Sequence, residues 1–132
     1  MFFFTKPEYK TVDMPFALIE DKEDFEAGII SIETSGIVDG TAKYFYASFS
    51  LKKPSMHDDG SYDEILENLR ATQGREVSVV LKYRKNKLKS FKIDLESLAF
   101  ACADDRLKNM DFLGWGINDN SLKEKIEAEN QE

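Results

Sequence analysis

The sequence predicts one α+β domain, built on a mainly antiparallel sheet of about five strands with two to three helices packed on one side. Segments with the two-residue alternation of β-strands recur along the chain, and two turn sequences join neighbouring segments into hairpins. Helical segments do not alternate regularly with the strands, as a parallel sheet would require. At 132 residues the chain has the size of one domain. We assign residues 1–117 to this domain and residues 118–132 to a polar, acidic C-terminal helix or tail.

The first 19 residues have an extended pattern that is interrupted by Pro7 and Pro15. Proline lacks a backbone donor and is therefore common at sheet edges. We predict edge strands or an extended arm for this segment. The acidic run over residues 20–26 is typical of a surface turn or one short helix.

Two extended segments follow, over residues 28–34 and 41–51. The first is rich in isoleucine, a residue that favours strands. The second alternates strictly, and Asp39-Gly40, a common hairpin dipeptide, lies between them. We predict an antiparallel hairpin whose second strand places four apolar residues on one face: Phe45, Ala47, Phe49 and Leu51.

A loop rich in Pro, Gly and Asp occupies residues 52–60. Ser61 and Glu64 have the spacing of a capping box, in which each side chain satisfies a backbone donor at a helix start. We predict a helix that begins at Ser61 and ends at Gly74, since glycine tolerates the left-handed conformation that ends many helices.

The second predicted hairpin joins a strand over residues 75–83 to a strand over residues 87–93, through a turn at Lys85-Asn86. Asp94 can cap a helix that runs through Cys102. Asp104 or Asp105 can cap a further helix, which we expect to end near Gly114.

The charge and apolar patterns limit the classes of partner and the compartment. The chain has 25 acidic and 18 basic side chains, a net charge of −7, so its long-range field repels nucleic acid and anionic membranes. No apolar run approaches the ~20 residues of a membrane helix. The single cysteine cannot form an internal disulfide, and the N-terminus lacks the basic leader of a secretory signal. We expect a soluble cytoplasmic protein that does not bind membranes.

Two residues are candidates for chemistry, but neither lies in a recognisable catalytic pattern. The only histidine, His57, adjoins Asp58 and Asp59 in the predicted loop, where it is either solvated or part of a metal or acid–base site. Cys102 lies in a small apolar stretch, so we interpret its thiol as a core group. No phosphate-binding glycine motif and no zinc-binding pattern occurs. We therefore assign no catalytic residue, cofactor or metal.

The most distinctive segment is the basic hairpin, residues 82–92, which has six basic and no acidic side chains. The rest of the chain has 12 basic and 25 acidic side chains. Its lysines either guard a sheet edge and pair with the protein's own acids, or contact an acidic protein surface, or bind nucleic acid while Tyr83 or Phe91 stacks on a base. The candidate contact residues are Lys82, Arg84, Lys85, Lys87, Lys89 and Lys92.

Aromatic residues supply two further candidates for a contact surface. The only tryptophan, Trp115, lies between Gly114 and Gly116 and either packs in the core or against a helix end, or anchors a partner. The N-terminal phenylalanines, residues 2–4, together with Tyr44 and Tyr46, provide aromatic surface that a homodimer would bury.

Three functions are compatible with these patterns. We favour a non-enzymatic protein-interaction or accessory domain that uses the basic hairpin or Trp115, either with a protein partner or in a homodimer. One alternative is a small enzyme with a carboxylate-lined or His/Asp site, for which His57, Asp58 and Asp59 would be tested first. A second is a nucleic-acid accessory factor that uses the basic hairpin.

Overall fold

The protein was analysed as a computed structural model, which describes residues 6–51 and 60–119. In these residues the α+β prediction is confirmed, and the antiparallel sheet has six strands instead of about five. The strand order is β5-β4-β1-β2-β3-β6. The strands are β1 Glu8–Leu18, β2 Ile29–Val38, β3 Thr41–Ser50, β4 Glu76–Arg84, β5 Lys87–Ile93 and β6 Asp111–Asp119. The helices are α1 Lys22–Ala27, α2 Ser61–Thr72 and α3 Leu95–Cys102, followed by a 3-10 helix, Asp105–Asn109.

Strand β1 is an interior strand, so the prediction of edge strands or an arm for this segment was wrong. Its first part pairs with β4 up to the pair Pro15 and Glu76, and its last part pairs with β2 from Phe16 onward. Pro15 therefore lies where β1 changes partner, a position that tolerates a missing backbone donor. Because its two ends pair with different strands, β1 joins the two halves of a curled sheet.

Both predicted hairpins are confirmed. Strands β2 and β3 pair along their full length through a turn at Asp39-Gly40, and β4 and β5 pair through Lys85-Asn86. All four turn residues have a positive φ, between 53° and 80°, as expected for two-residue hairpin turns that match the twist of the strands. The register of β5 shifts by one residue, which leaves Lys89 as an extra residue on that strand.

Of the two helix starts that capping residues predicted, for α2 and α3, only the cap of α3 is found. Asp94 caps α3 as predicted, because its carboxylate accepts hydrogen bonds from the backbone N–H groups of Glu96 and Ser97. The capping box predicted for α2 was wrong, since Gly60 occupies the cap position with a φ of 86° and no side chain caps the helix. Glu64 instead forms an ion pair with Arg106.

The helix predicted from Asp104 or Asp105 to Gly114 was also wrong. The chain forms only the short 3-10 helix and then enters β6. The physical reason is pairing with β3, which aligns Trp115 with Ala47 and Ile117 with Phe45 and thereby overrides the local helical pattern. The strand extends to Asp119, two residues beyond the predicted domain boundary. The C-terminal helix or tail predicted for residues 118–132 falls mostly outside the described residues.

The core lies between the sheet and helices α2 and α3, which contribute fully buried side chains such as Ile65, Leu69 and Leu98. A buried polar cluster joins these helices to the 3-10 helix. Asp104 accepts hydrogen bonds from Arg106 at 2.8 and 2.9 Å and from the side-chain amide of Asn68 at 3.0 Å. The guanidinium of Arg106 holds the pKa of Asp104 below its usual value despite burial.

Candidate functional site

The curl of the sheet brings its two edge strands, β5 and β6, close to each other. Phe91 of β5 packs edge-to-face against Phe45 of β3, with ring centroids 5.0 Å apart. Phe91 also meets Trp115 of β6 in a second edge-to-face contact, with ring centroids 5.5 Å apart. The two edges therefore approach each other through side chains, although in the described part of the chain they are at opposite ends of the strand order.

An apolar groove of about 350 Å³ lies between these two strands, and we call it the β5–β6 groove. One wall consists of four successive residues of β5, 90–93, with Leu95 beyond them. The other wall consists of Phe49, Phe112 and Trp115. Successive residues of a strand point to opposite faces. All four can line one groove because it runs along the backbone edge of β5.

The aromatic side chains of β6 are more exposed than their direction predicts. Phe112 pairs with the buried Phe49, and Trp115 pairs with the buried Ala47, so both point to the inner face of the sheet. Nevertheless 52% of Phe112 and 47% of Trp115 is exposed. Leu113, the extra residue at an irregularity in the register, is equally exposed. Of these three side chains, Phe112 and Trp115 line the groove.

Of the six cations of the basic hairpin, Lys92 lines this groove, and the other five lie elsewhere on β4, β5 and the turn between them. Five of the six are exposed, and Lys82 is half-buried. Among the described residues none of the six lies within 4.0 Å of a carboxylate, whereas Lys10 pairs with Asp39 and Lys108 with Asp105. The predicted pairing of the hairpin lysines with the protein's own acids is therefore not found in the described part of the chain.

The two aromatic residues of the hairpin are buried, which contradicts the expectation that one could stack on a nucleic-acid base. Tyr83 is 5% exposed and Phe91 is 6% exposed. The Tyr83 hydroxyl donates a 2.8 Å hydrogen bond to Asp39, and Lys10 lies 5.0 Å from the ring centroid. Burial, followed by the hydrogen bond to Asp39, raises the pKa of Tyr83 to about 12. Both rings are structural parts of the sheet.

Of the candidates for chemistry, only Cys102 lies in the described residues, and it does not line the groove. Cys102 is buried as predicted, the Thr72 hydroxyl donates to its Sγ over 3.2 Å, and burial raises the pKa of the thiol. A raised pKa disfavours the thiolate that a nucleophile needs. His57, Asp58 and Asp59 lie outside the described residues. Within the described residues no three metal-ligating side chains form a cluster, and no helix is long and apolar enough to span a membrane.

The groove unites two features that the sequence suggested separately. The basic hairpin contributes one wall and Trp115 contributes the other. Sequence reasoning missed Phe112 and Leu113 as surface residues because it assigned them to a helix. The alternation of Leu113, Trp115 and Ile117 with two glycines offered only a weak strand signal. Comparisons with family models, with curated proteins and with solved structures found no match for this chain.

Proposed function

We propose that this protein is a protein-interaction domain whose contact surface is the β5–β6 groove. The observation that carries the proposal is the convergence of Trp115 and the basic hairpin on one groove. A half-exposed tryptophan beside other exposed apolar side chains is typical of the central anchors of protein interfaces. Burial by a partner would remove this apolar surface from water, which is the main favourable contribution to association.

The charge distribution supports an acidic partner. The exposed cations on β5 have no carboxylate within 4.0 Å among the described residues. Complementary charge around an interface increases the association rate and selects the partner. The apolar groove supplies contact area, and the exposed lysines of β5 supply selectivity. The surface therefore suits a protein with both apolar and acidic side chains.

The two alternative functions receive less support from the described residues. Nucleic-acid binding through the hairpin would lack stacking by Tyr83 or Phe91, because both rings are buried. An enzyme site with paired carboxylates does not coincide with the groove, whose lining residues are apolar apart from Ser90 and Lys92. An enzyme site around His57 stays a prediction, because these residues lie outside the described part of the chain.

The proposal is tested by affinity capture from native lysate with three forms of the full chain. One variant carries Lys87→Ser, Lys89→Ser and Lys92→Ser on β5. Its matched control carries Lys10→Ser, Lys22→Ser and Lys108→Ser, which removes the same charge from exposed sites outside the groove. We expect the wild type and the control to recover the same protein, and the β5 variant to recover much less of it.

Trp115→Ala is the second arm of the same experiment, and we expect it to lose the partner as well. Equal recovery by all forms would place the contact elsewhere on the molecule. Recovery of nucleic acid that is lost only in the β5 variant would favour the nucleic-acid alternative, and its steep dependence on salt would identify it.

A further inference from the structure

We infer that the β5–β6 groove binds an extended segment of another protein, in which acidic residues alternate with large apolar residues, as an added strand on β5. This inference rests on the proposed function and specifies the chemistry and the geometry of the partner. It follows from the backbone edge of β5, the two faces that an added strand would present, and the charges of β5 and β6.

The backbone of β5 offers hydrogen-bonding groups to the groove. The N–H of Asp94 donates to the carbonyl of Ser78 over 3.0 Å, so this pair is hydrogen-bonded across β4 and β5. Hydrogen-bonded and non-hydrogen-bonded pairs alternate along an antiparallel ladder. The pairs Val79–Ile93 and Leu81–Phe91 are therefore non-hydrogen-bonded. The backbone N–H and C=O groups of Ile93 and Phe91 accordingly point away from β4. Both residues line the groove.

An added strand would place its side chains alternately on two different surfaces. Residues opposite Phe91 and Ile93 would point inward, where they would meet the half-exposed Phe112 and Trp115. Residues opposite Lys92 would point outward, beside an exposed cation. An apolar residue suits the first position and a carboxylate suits the second. The added segment would bury Phe112 and Trp115, which are about half exposed in the free protein.

A second copy of the chain fits this groove less well. Pairing of β5 with β5 of a second copy would bring together the cations Lys87, Lys89 and Lys92. Antiparallel pairing of β6 with β6, centred on Trp115, would place Asp111 opposite Asp119 in the register. Like charges directly opposite each other destabilise a strand pair. An acidic segment of another protein avoids both conflicts.

The probe is a synthetic peptide of about seven residues, the length of a typical strand, with the sequence Glu-Val-Glu-Phe-Glu-Val-Glu. A matched peptide has lysine in place of every glutamate, and a third carries N-methyl groups on the phenylalanine and valine nitrogens, which removes those backbone donors. Trp115 is the only tryptophan, so its emission reports the groove directly. We expect the acidic peptide to shift this emission to shorter wavelength, and the two other peptides to bind at least about tenfold more weakly.

Variants of the full chain test the geometry. Lys92→Glu should weaken binding of the acidic peptide by about tenfold and should restore binding of the lysine peptide, because it exchanges the sign of the contact. Lys22→Glu, an exposed site on α1, is the control and should change neither affinity. Backbone amide signals of Phe91 and Ile93 should shift on binding of the acidic peptide more than those of Val80.

Four outcomes would overturn the inference. Equal binding of the N-methylated and unmodified peptides would exclude strand addition. A dimer that dissociates on Trp115→Ala would make a second copy the occupant. If the variant Leu122→Ser/Ile126→Ser bound the acidic peptide much more tightly than the wild type does, residues 120–132 of the same chain would be the occupant of the groove. If no peptide binds but Trp115→Ala still loses its partner in affinity capture, the inference fails while the proposed function stands.

Discussion

The helix-covered part of the sheet and the β5–β6 groove differ in how far their apolar side chains are buried and their charges are paired. Leu69 of α2 and Leu98 of α3 are fully buried, and the charge of Asp104 is paired with Arg106. At the groove, the inward-pointing Phe112 and Trp115 are about half exposed. The nearby lysines of β5 have no carboxylate partner among the described residues. We expect the covered part to supply most of the stability, and the exposed side chains of the groove are the basis of the proposed binding surface.

The largest expected effect is on the covered part. Leu98→Ala removes a fully buried side chain of α3 and leaves a cavity, so we expect the free energy of unfolding to fall by about 2–5 kcal/mol. Leu113→Ala, next to the groove residue Phe112 in β6, removes a side chain that is already half exposed and should cost less than about 1 kcal/mol. Urea denaturation of both variants measures the difference. Equal losses would contradict the division into a stabilising part and a binding part.

The next effect concerns the buried charge. Asp104→Asn leaves Arg106 without its closest carboxylate, so we expect a loss of about 2–3 kcal/mol at neutral pH. Asp105→Asn, whose carboxylate is exposed, is the control and should cost less than about 0.5 kcal/mol.

The same carboxyl group predicts a pH dependence. The pKa of Asp104 is lowered in the folded state, so its contribution is complete above the unfolded pKa of about 3.9 and is lost as the pH falls through the folded pKa. The difference between the wild type and Asp104→Asn should therefore shrink below about pH 4. Urea denaturation at a series of pH values tests this, and a constant difference down to about pH 2 would count against it.

A smaller loss of stability is expected for Trp115→Ala, together with a large loss of binding. The substitution removes one edge-to-face contact with Phe91, which contributes about 1 kcal/mol. The melting temperature should fall by a few degrees while partner recovery in affinity capture is abolished. A collapse of the fold would show that Trp115 belongs to the core.

The smallest effect has the opposite sign. The Thr34 hydroxyl is fully buried and has no hydrogen-bond partner among the described residues. A buried polar group without a partner is destabilising, so Thr34→Val should raise the free energy of unfolding by up to about 1 kcal/mol. Denaturation with urea would detect this gain. Thr11→Val, at an exposed position of β1, should change stability by less than about 0.5 kcal/mol.

The sequence predicted the local elements better than their arrangement. The hairpin turns at Asp39-Gly40 and Lys85-Asn86 and the cap at Asp94 were correct because they depend on residues close in sequence. The interior position of β1 and the strand β6 were missed, because both depend on pairing with distant strands. The same long-range pairing brings Phe91 to Trp115. The sequence therefore indicated Lys92 and Trp115 of the candidate groove, but neither Phe112 nor the convergence of the two edge strands.

The most direct test of the binding groove is photo-crosslinking in cells that express the full chain. A photoreactive residue replaces Phe112, which lines the groove, in one variant and Ala71, an exposed position on α2, in the other. We expect the Phe112 position to form a crosslink to another protein, the Ala71 position to form none to it, and Lys89→Ser/Lys92→Ser to remove the crosslink. Equal crosslinking from both positions, or none from Phe112, would contradict a binding function for the β5–β6 groove.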